Sequence, residues 1–315
     1  MRKLVSLLAA LGLLTGALAV VNPDPANAVP LSTYQYQFEG NTNAYLGNAT
    51  LSLLGSCPSG VAGFTPCNTS TGFGTSGGDG YMSWSSSDPR GGGFKLTTPT
   101  PIGASYSVSL KFEFSQTSYY RKIIDYENYL SDNGFYIYSG KINFYPLGTS
   151  SSSYAANTPL SLLVTRESSP TGSYPNRGIF TVYVYSGSNL TQELQVTDNA
   201  GSSLAASSGS GSLFGFFFDD GATSAEATPT GKVYDLKIWQ NLALTAAQVG
   251  AVATASPTTT TPSTPSAPTA SSGSVSATVS VPAASAGSSY PDTYLVTASP
   301  GHRFTWWCNL HDHNT

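Results

Sequence analysis

Short runs of alternating apolar and polar residues constrain the fold of this chain more than any other sequence feature. In residues 106–114, tyrosine, valine, leucine and phenylalanine at every second position alternate with serine, lysine and glutamate. A period of two is typical of a β-strand with one buried face. We count about ten strand-like runs between Tyr34 and Trp239, separated by segments rich in Gly, Ser, Asn and Pro. Helical periodicity is nearly absent, so the sequence predicts an all-β fold of antiparallel strands, a sandwich or a barrel.

Two local signals refine this prediction. Ser139-Gly140 lies between the runs FYIY and KINFY, which is typical of a hairpin with a two-residue turn. Residues 213–249 contain an apolar strand, an acidic loop, a second strand ending at Trp239 and one short helix. We expect the helix to begin at Thr245, in the segment LTAAQV, and to pack against Trp239.

The first 28 residues have the pattern of a signal peptide. Arg2 and Lys3 precede an apolar run from Leu4 to Val21, and Ala-Asn-Ala at 26–28 is typical of a cleavage site. The alternative is a membrane anchor, because the run borders on spanning length. The small-residue site favours removal, and no second long apolar run follows. We therefore expect a secreted protein, extracellular or at the cell surface, without a membrane span after cleavage.

The charge of the mature chain makes nucleic acid an unexpected partner. Loss of Arg2, Lys3 and Asp24 leaves 11 of the 13 basic residues and 16 of the 17 acidic ones. The basic residues are not clustered, whereas binding to phosphate backbones requires a dense patch of Lys and Arg.

Two of the three cysteines are close together in sequence. Cys57 and Cys67 bracket the loop CPSGVAGFTPC, and in an oxidising compartment this spacing predicts a local disulfide. A metal site is the weaker alternative, because no third ligand of a suitable type lies nearby. Cys308 has no counterpart in this pattern.

Three segments together resemble a known domain family. YQFEGNTN near the start, SDNGFYIYSGKINFY in the middle and FFFDD, GKVYDLKIW and LTAAQV at the end resemble the laminin-G-like, concanavalin A-like jelly-roll domains. The resemblance covers the domain we assign to residues 29–253. It implies a two-sheet antiparallel jelly-roll sandwich, often with a calcium ion at its rim. It also implies sugar or protein binding and, in some branches, glycoside hydrolysis.

The C-terminal part has a different composition. A Pro/Thr-rich linker at 254–269 precedes residues 270–315, which look like the first half of a fibronectin type III domain of the bacterial kind. His302, Cys308, His311 and His313 are ligand types that bind transition metals. The alternative, which we favour, is a truncated or frameshifted end, because half a sandwich cannot bury a core and a metal site needs supporting contacts.

The acidic loop is the candidate metal site. Asp219, Asp220 and Glu226 are close in sequence, and calcium prefers oxygen ligands. Phe214, Phe216 and Asp220 lie at alternate positions, so Asp220 is expected at the end of a core-facing row, where a carboxylate needs a cation or hydrogen-bond donors. The sequence therefore predicts calcium bound by Asp220, assisted by Asp219 and Glu226. In the alternative, Asp220 accepts hydrogen bonds from loop amides and the other two are solvated.

Catalytic patterns are missing from the main domain. No two of the glutamates in residues 29–253 are spaced four or five apart, as the paired carboxylates of related glycosidases are. Asp125 and Glu127 are interpreted as surface charges beside Arg121 and Lys122, and no histidine precedes His302 to act as a base. We therefore expect a protein that is not an enzyme.

Exposed aromatic side chains are the candidates for ligand contact. Trp84, in a Gly/Ser-rich stretch, is the better candidate for a surface position, and Tyr119 and Tyr120 lie in an expected turn. For each of the three, a structural role beneath a loop is the alternative. The leading hypothesis is a secreted binding or adhesion module for a glycan or surface glycoprotein, with calcium dependence as a further hypothesis. A glycoside hydrolase or its accessory domain, and a structural spacer of a cell-surface protein, are the alternatives.

Overall fold

The structure, a computed structural model, describes residues 29–53, 69–86, 92–187, 189–223 and 225–254, and the backbone of four short strands between 269 and 306. The main domain consists of strands and one short helix near its end. Its strands are β1 (Tyr34–Tyr36), β2 (Thr50–Leu53), β3 (Thr69–Ser76), β4 (Asp79–Ser86), β5 (Phe94–Thr97), β6 (Tyr106–Phe114), β7 (Tyr120–Asp125), β8 (Gly134–Tyr138), β9 (Lys141–Tyr145), β10 (Gly148–Thr149), β11 (Leu160–Ser168), β12 (Gly178–Ser186), β13 (Asn189–Asp198), β14 (Ala206–Ser208), β15 (Gly211–Phe216) and β16 (Thr230–Gln240).

The strands form two antiparallel sheets of eight strands each. The first sheet has the order β13-β12-β11-β6-β16-β4-β3, and β1 also pairs with β16. The second has the order β10-β9-β8-β7-β15-β5-β2, and β14 also pairs with β15. This confirms the predicted all-β architecture, a sandwich of the jelly-roll type. The finer resemblance to laminin-G-like domains stays a prediction.

The alternating pattern of β6 has the predicted role in the core. Tyr106, Val108, Leu110, Phe112 and Phe114 are all buried in the main hydrophobic cluster. The strand lies between β11 and β16 in the middle of the first sheet. Side chains from the inner face of the second sheet belong to the same cluster.

The hairpin between β8 and β9 is also as predicted. Tyr138 pairs with Lys141, which leaves Ser139 and Gly140 as the two turn residues. Their φ angles are 47° and 82°, and two positive values in succession are the signature of the turn that suits a right-handed strand twist.

The helix α1 (Ala246–Thr254) closes the domain. Thr245 precedes it: its backbone N–H donates to Oε1 of Gln248 at 3.0 Å, and the N–H of Gln248 donates to the Thr245 hydroxyl at 3.4 Å. This reciprocal pair is a capping box, and it explains why the helix begins there. Val249 of α1 belongs to a small buried cluster that includes Trp239, which confirms the predicted contact.

Several predictions fall outside the described residues. The segment 1–28, the cysteines Cys57 and Cys67, most of the linker, and Cys308, His311 and His313 all lie there. The backbone strands β17 (Thr269–Ser272) and β18 (Ala277–Ser280) pair with each other, and β19 (Tyr294–Ala298) pairs with β20 (His302–Trp306). The fibronectin-like assignment stays a prediction. Among the helices of the described residues, none is both long and apolar enough to cross a membrane.

Candidate ligand-binding site

A β-bulge in β7 builds the base of the site. Lys122 pairs with Tyr136 of β8, whereas the next paired residue of β8, Phe135, faces Ile124, so Ile123 is an extra residue. A bulge shifts the alternation of side chains by one position. Ile123 and Ile124 are therefore both in the core, while Tyr120 and Lys122 share the outer face of the second sheet with Tyr136.

The acidic loop crosses this outer face because β15 ends early. The strand ends at Phe216, and Phe217 has a φ of 64°. The N–H of Phe217 donates to the Ile123 carbonyl at 3.1 Å, and the N–H of Lys122 donates to the Glu226 carbonyl at 2.8 Å. The loop of residues 217–229 is thus joined to β7 at two points, which brings its carboxylates over the outer face.

Asp219 holds the loop together. Its carboxylate accepts the backbone N–H of Asp220 at 2.8 Å and that of Glu226 at 3.0 Å. Asp219 is fully buried, so the alternative in which it is solvated is wrong. Burial raises the pKa of its carboxyl to about 8. It supports the loop's shape through these hydrogen bonds.

Asp220 meets a cation supplied by the chain itself. The Lys122 ammonium contacts Oδ2 of Asp220, lies 3.6 Å from Oδ2 of Asp125, and sits 4.7 Å from the centre of the Tyr136 ring. The Lys122 side chain and both of these carboxylates have no exposed surface. The N–H of Ala222 also donates to Oδ1 of Asp220 at 2.8 Å.

The expected surface position of the charges on β7 is therefore wrong. Asp125 and Lys122 are buried because the acidic loop and the segment after β7 cover them. Oδ1 of Asp125 accepts the N–H of Tyr129 at 2.8 Å. Arg121 is also buried, and its guanidinium donates to the carbonyls of Ala225 and Ala227 at 2.6 and 3.2 Å.

A third acidic residue, which the sequence analysis missed, completes the group. Asp132, Asp220 and Glu226 bring one carboxylate oxygen each within 4.8 Å of one another. Asp219 is not part of this set. The hydroxyl of Thr223 donates to Oδ2 of Asp132 at 2.9 Å, which ties the loop before β8 to the acidic loop. The position of Asp132 just before β8, in the segment SDNG, was the only hint in the sequence that it could be a site residue. The pairing of β8 with β7 is what shows that Asp132 lies near the acidic loop.

Tyrosines on the outer face form an aromatic wall beside the carboxylates. The ring of Tyr120 stacks on Tyr138 at 4.2 Å and meets Tyr136 and Tyr145 edge-on at 5.3 and 5.7 Å, measured between ring centres. Tyr138 and Tyr145 are 37% and 39% exposed. The rings therefore form one aromatic surface that solvent reaches.

The wall and the carboxylates enclose a cavity of about 300 Å³, which we call the tyrosine cavity. It is lined by Tyr120, Asp132, Tyr136, Tyr145, Thr223 and Glu226. Of the predicted ligand-contact residues, Tyr120 lines it. Tyr119, with a positive φ of 55°, is 75% exposed but does not line it.

The predicted surface position of Trp84 is wrong. Its side chain is 1% exposed and stacks on Phe217 with 4.9 Å between ring centres. The indole N–H donates to the Thr228 carbonyl at 3.3 Å. A methyl group at Gly231 of the neighbouring strand β16 would overlap the indole ring, so a glycine at this position leaves room for Trp84. A methyl group at Gly92 would overlap the ring as well, so two glycines outside the segment around Trp84 leave the space for it.

A second, polar cavity lies on the first sheet. It measures about 210 Å³ between β11, β12, β13 and the start of α1. Tyr183 is the one aromatic residue that lines it, and that ring also belongs to the cluster beneath the helix. The tyrosine cavity is thus the better candidate for a ligand.

Carboxyl groups outnumber cations around the tyrosine cavity. Glu226 interacts with Lys122, Asp132 and Asp220, and Arg121 interacts with Asp219 and Glu226. Burial raises the pKa of Glu226 to about 7. It also raises the pKa of Asp125 to about 6, an effect that the Lys122 ammonium partly offsets.

These raised pKa values predict that the protein becomes less stable as the pH rises from 5 to 8. Between about pH 4 and the raised values, the folded state keeps protons that the unfolded chain releases, so stability falls with pH. We expect the free energy of unfolding in EDTA to be lower at pH 8 than at pH 5 by on the order of 3 kcal/mol, since each pKa unit corresponds to about 1.4 kcal/mol. Urea titrations at both pH values measure this. Glu226→Gln should flatten the dependence and Glu167→Gln, on an exposed carboxylate of the first sheet, should not. A free energy of unfolding that rises from pH 5 to pH 8 would contradict this prediction.

Comparisons with known proteins assign this chain to no family. No protein-family model matches the sequence, and no curated protein does. Among solved structures, the botulinum neurotoxin serotype C1 binding domain is 11% identical, with a TM-score of 0.42 over 72% of this chain and 52% of that one. The binding domain of botulinum neurotoxin DC, solved with rat synaptotagmin II, is 12% identical, with a TM-score of 0.39 over 70% and 50%.

A protein of a different description is also among the matches. A bifunctional GH43-CE protein from Bacteroides eggerthii is 12% identical, with a TM-score of 0.30 over 51% of this chain and 22% of that one. The chain spans about half the length of the neurotoxin domains and less of this protein. Similarity at this level carries no information about a ligand, so the candidate site depends on its own geometry.

Proposed function

We propose that the protein is a secreted, non-enzymatic binding or adhesion module for a glycan or surface glycoprotein, and that the tyrosine cavity is its ligand site. The observation that carries this proposal is the combination of an exposed tyrosine wall with convergent polar side chains in one cavity. Sugar rings have apolar faces that pack on aromatic rings and hydroxyl groups that bond to carboxylates and hydroxyls. Tyr120 and Tyr145 supply the first kind of contact. Asp132, Thr223 and Glu226 supply the second.

The size of the cavity limits what it holds. Its volume of about 300 Å³ is at the lower end of small-molecule sites, which span about 300–1,000 Å³. It therefore suits one sugar ring, with neighbouring rings of the same glycan on the exposed faces of Tyr138 and Tyr145.

Calcium dependence stays a prediction, with a changed set of ligands. Asp132, Asp220 and Glu226 are the carboxylates that would bind the ion, and Asp219 is not. Oxygen atoms Oδ1 of Asp132 and Oε2 of Glu226 are buried and lack a hydrogen-bond donor among the described residues, as metal ligands would. The Lys122 ammonium, however, already contacts Asp220. Because calcium prefers six to eight oxygens, this set fits it poorly.

Substitution of the wall tests the proposed site. A glycan array identifies a ligand, and titration calorimetry then compares variants. Tyr145→Ala should weaken binding about tenfold or more, since one aromatic contact contributes on the order of 1–2 kcal/mol. The matched control is Tyr174→Ala, a 48% exposed tyrosine in the loop between β11 and β12 of the other sheet.

The outcomes separate the hypotheses. Loss of binding in Tyr145→Ala but not in Tyr174→Ala supports the proposal, and equal effects contradict the site. Failure of every glycan and glycoprotein to bind favours the structural spacer. Repeating the array with EDTA tests calcium dependence, because a calcium-dependent module should lose its ligand.

One observation keeps the glycoside hydrolase as an alternative. Asp132 and Glu226 bring carboxylate oxygens within 4.8 Å of each other in an open cavity, and the raised pKa of Glu226, about 7, would suit a general acid. Release of reducing sugar from polysaccharides, lost in Glu226→Gln, would favour this function. The pair Asp125 and Glu127 would not be its location, because Asp125 is sealed against Lys122 and Tyr129.

A further inference from the structure

We propose that the tyrosine cavity selects a glycan that carries a free, protonated amino group, with the ammonium bound between Asp132 and Glu226 and the sugar ring against Tyr120 and Tyr145. This inference depends on the proposed function, because it names the chemical class of the ligand for the same site.

The protein already shows how this surface binds an ammonium group. The Lys122 ammonium lies 4.7 Å from the centre of the Tyr136 ring and contacts Asp220, and the Ser131 carbonyl is 3.4 Å away. Carboxylate, carbonyl and aromatic face are the groups that stabilise an ammonium removed from water. Tyr136 also lines the tyrosine cavity. A ligand amine in the cavity would therefore meet the same kinds of group.

Two carboxylate oxygens in the cavity wall lack a donor. Oε2 of Glu226 and Oδ1 of Asp132 are buried without a hydrogen-bond partner among the described residues. Glu226 is 8% exposed and lines the cavity. A buried acceptor without a donor costs about 1–3 kcal/mol, and more when it is charged. A ligand that donates hydrogen bonds and carries positive charge would offset this cost.

The ion pairs around the site leave two carboxylates available to a ligand cation. The cluster contains Asp125, Asp132, Asp219, Asp220 and Glu226, against the cations Lys122 and Arg121. Lys122 contacts Asp220 and lies near Asp125, and Asp219 is occupied with backbone amides. Asp132 and Glu226 have no direct ion pair among the described residues, although Lys122 and Arg121 lie close enough to interact with Glu226.

Two carboxylates can accept the hydrogen bonds that one ammonium group donates, whereas calcium needs six to eight oxygen ligands. A divalent ion bound by Asp220 would also lie close to the Lys122 ammonium, and like charges repel strongly away from water. The aromatic wall adds a contribution for an organic cation that it cannot add for a hydrated metal ion.

Three tetrasaccharides with the same backbone test the inference. They are a β-1,4-glucosamine tetramer with free amines, its fully N-acetylated counterpart, and cellotetraose, which has hydroxyl groups instead. At pH 7 about half of the Glu226 carboxyls are ionised in the free protein, because their pKa is about 7, and a bound ammonium favours the ionised form. Titration calorimetry in EDTA at this pH should show the amine form binding about tenfold more tightly than either other form, because hydrogen bonds to charged groups contribute about 1.5–3 kcal/mol. Glu226→Gln should remove most of this preference, so that the ratio of the affinity for the amine form to the affinity for cellotetraose falls to near one.

Controls address folding and location. Asp132→Asn, at a half-buried position, is a second variant with the same expected effect. Thermal unfolding verifies that both variants fold. Glu167→Gln, on the first sheet, should keep the full preference.

Each other outcome overturns the inference. Equal binding of the three tetramers, with loss in Tyr145→Ala, would refute amine selection and leave the proposed glycan site standing. If the amine tetramer does not bind but other array glycans do, amine selection is refuted and the proposed glycan site still stands. If no glycan binds, both amine selection and the proposed glycan site are refuted. Tetralysine binding as tightly as the amine tetramer would identify a basic peptide as the ligand. Tetramer binding that requires added calcium would assign the carboxylates to the metal.

Discussion

Lys122→Met should lower the free energy of unfolding by about 3–5 kcal/mol, the range found when one partner of a buried ion pair is removed. The methionine keeps the length of the side chain but leaves Asp220 and Asp125 without their shared cation in a place where neither has exposed surface. Urea unfolding at pH 7 measures the loss. Lowering the pH to 5 should reduce it, because the Asp125 carboxyl, with a pKa of about 6, is then mostly protonated.

Lys232→Met is the matched control. Lys232 pairs with Glu113 at 2.9 Å, and its side chain is partly exposed. Surface pairs contribute about 0–1 kcal/mol, so this substitution should have a small effect. In addition, Lys122→Met with Asp220→Asn should lose less than the sum of the single changes, because the two residues interact directly. Equal losses in Lys122→Met and Lys232→Met would show that the buried pair does not have the assigned role.

Trp84→Ala should destabilise the fold by about 3–5 kcal/mol, as removal of a large buried aromatic side chain does. The substitution removes the stacking contact with Phe217 and leaves the Thr228 carbonyl without the indole donor. Gly231 gives the ring its space, and no side chain there can fill the resulting cavity. Urea unfolding again gives the loss.

Trp84→Phe separates the structural role from a ligand role. It keeps an aromatic ring and should cost clearly less than the alanine variant. Glycan affinity of the folded phenylalanine variant should equal that of the original protein, because Trp84 lies inside the core. A loss of affinity without a loss of stability would restore the interpretation of Trp84 as a ligand contact.

The sequence was sufficient for the sandwich because the core has a simple period. Residues 106–114 alternate without interruption, and every second side chain is in the core as predicted. The turn at Ser139-Gly140 and the helix after Thr245 depend on local preferences within a few residues, and both were predictable for that reason.

The site was harder to predict because it depends on irregular backbone and on contacts distant in sequence. Lys122 and Asp220 are 98 residues apart, and only the sheet order brings them together. Asp219 and Asp220 attracted a metal assignment because they are adjacent, but one accepts loop amides and the other contacts an ammonium. Trp84 was expected at the surface because its neighbours in sequence are small and polar, whereas the ring lies in the core in a space left by Gly92 and Gly231.

The extra residue Ile123 has a consequence for reading related sequences. Strict alternation counted back from the core residue Ile124 would assign Lys122 and Tyr120 to the hydrophobic interior, whereas the bulge at Ile123 returns both to the outer face. A chain with the same residues in this strand but regular pairing at Ile123 would turn these two side chains inward and lose the base of the site. The bulge in β7 is therefore a better marker of the site than the identity of any one of its side chains.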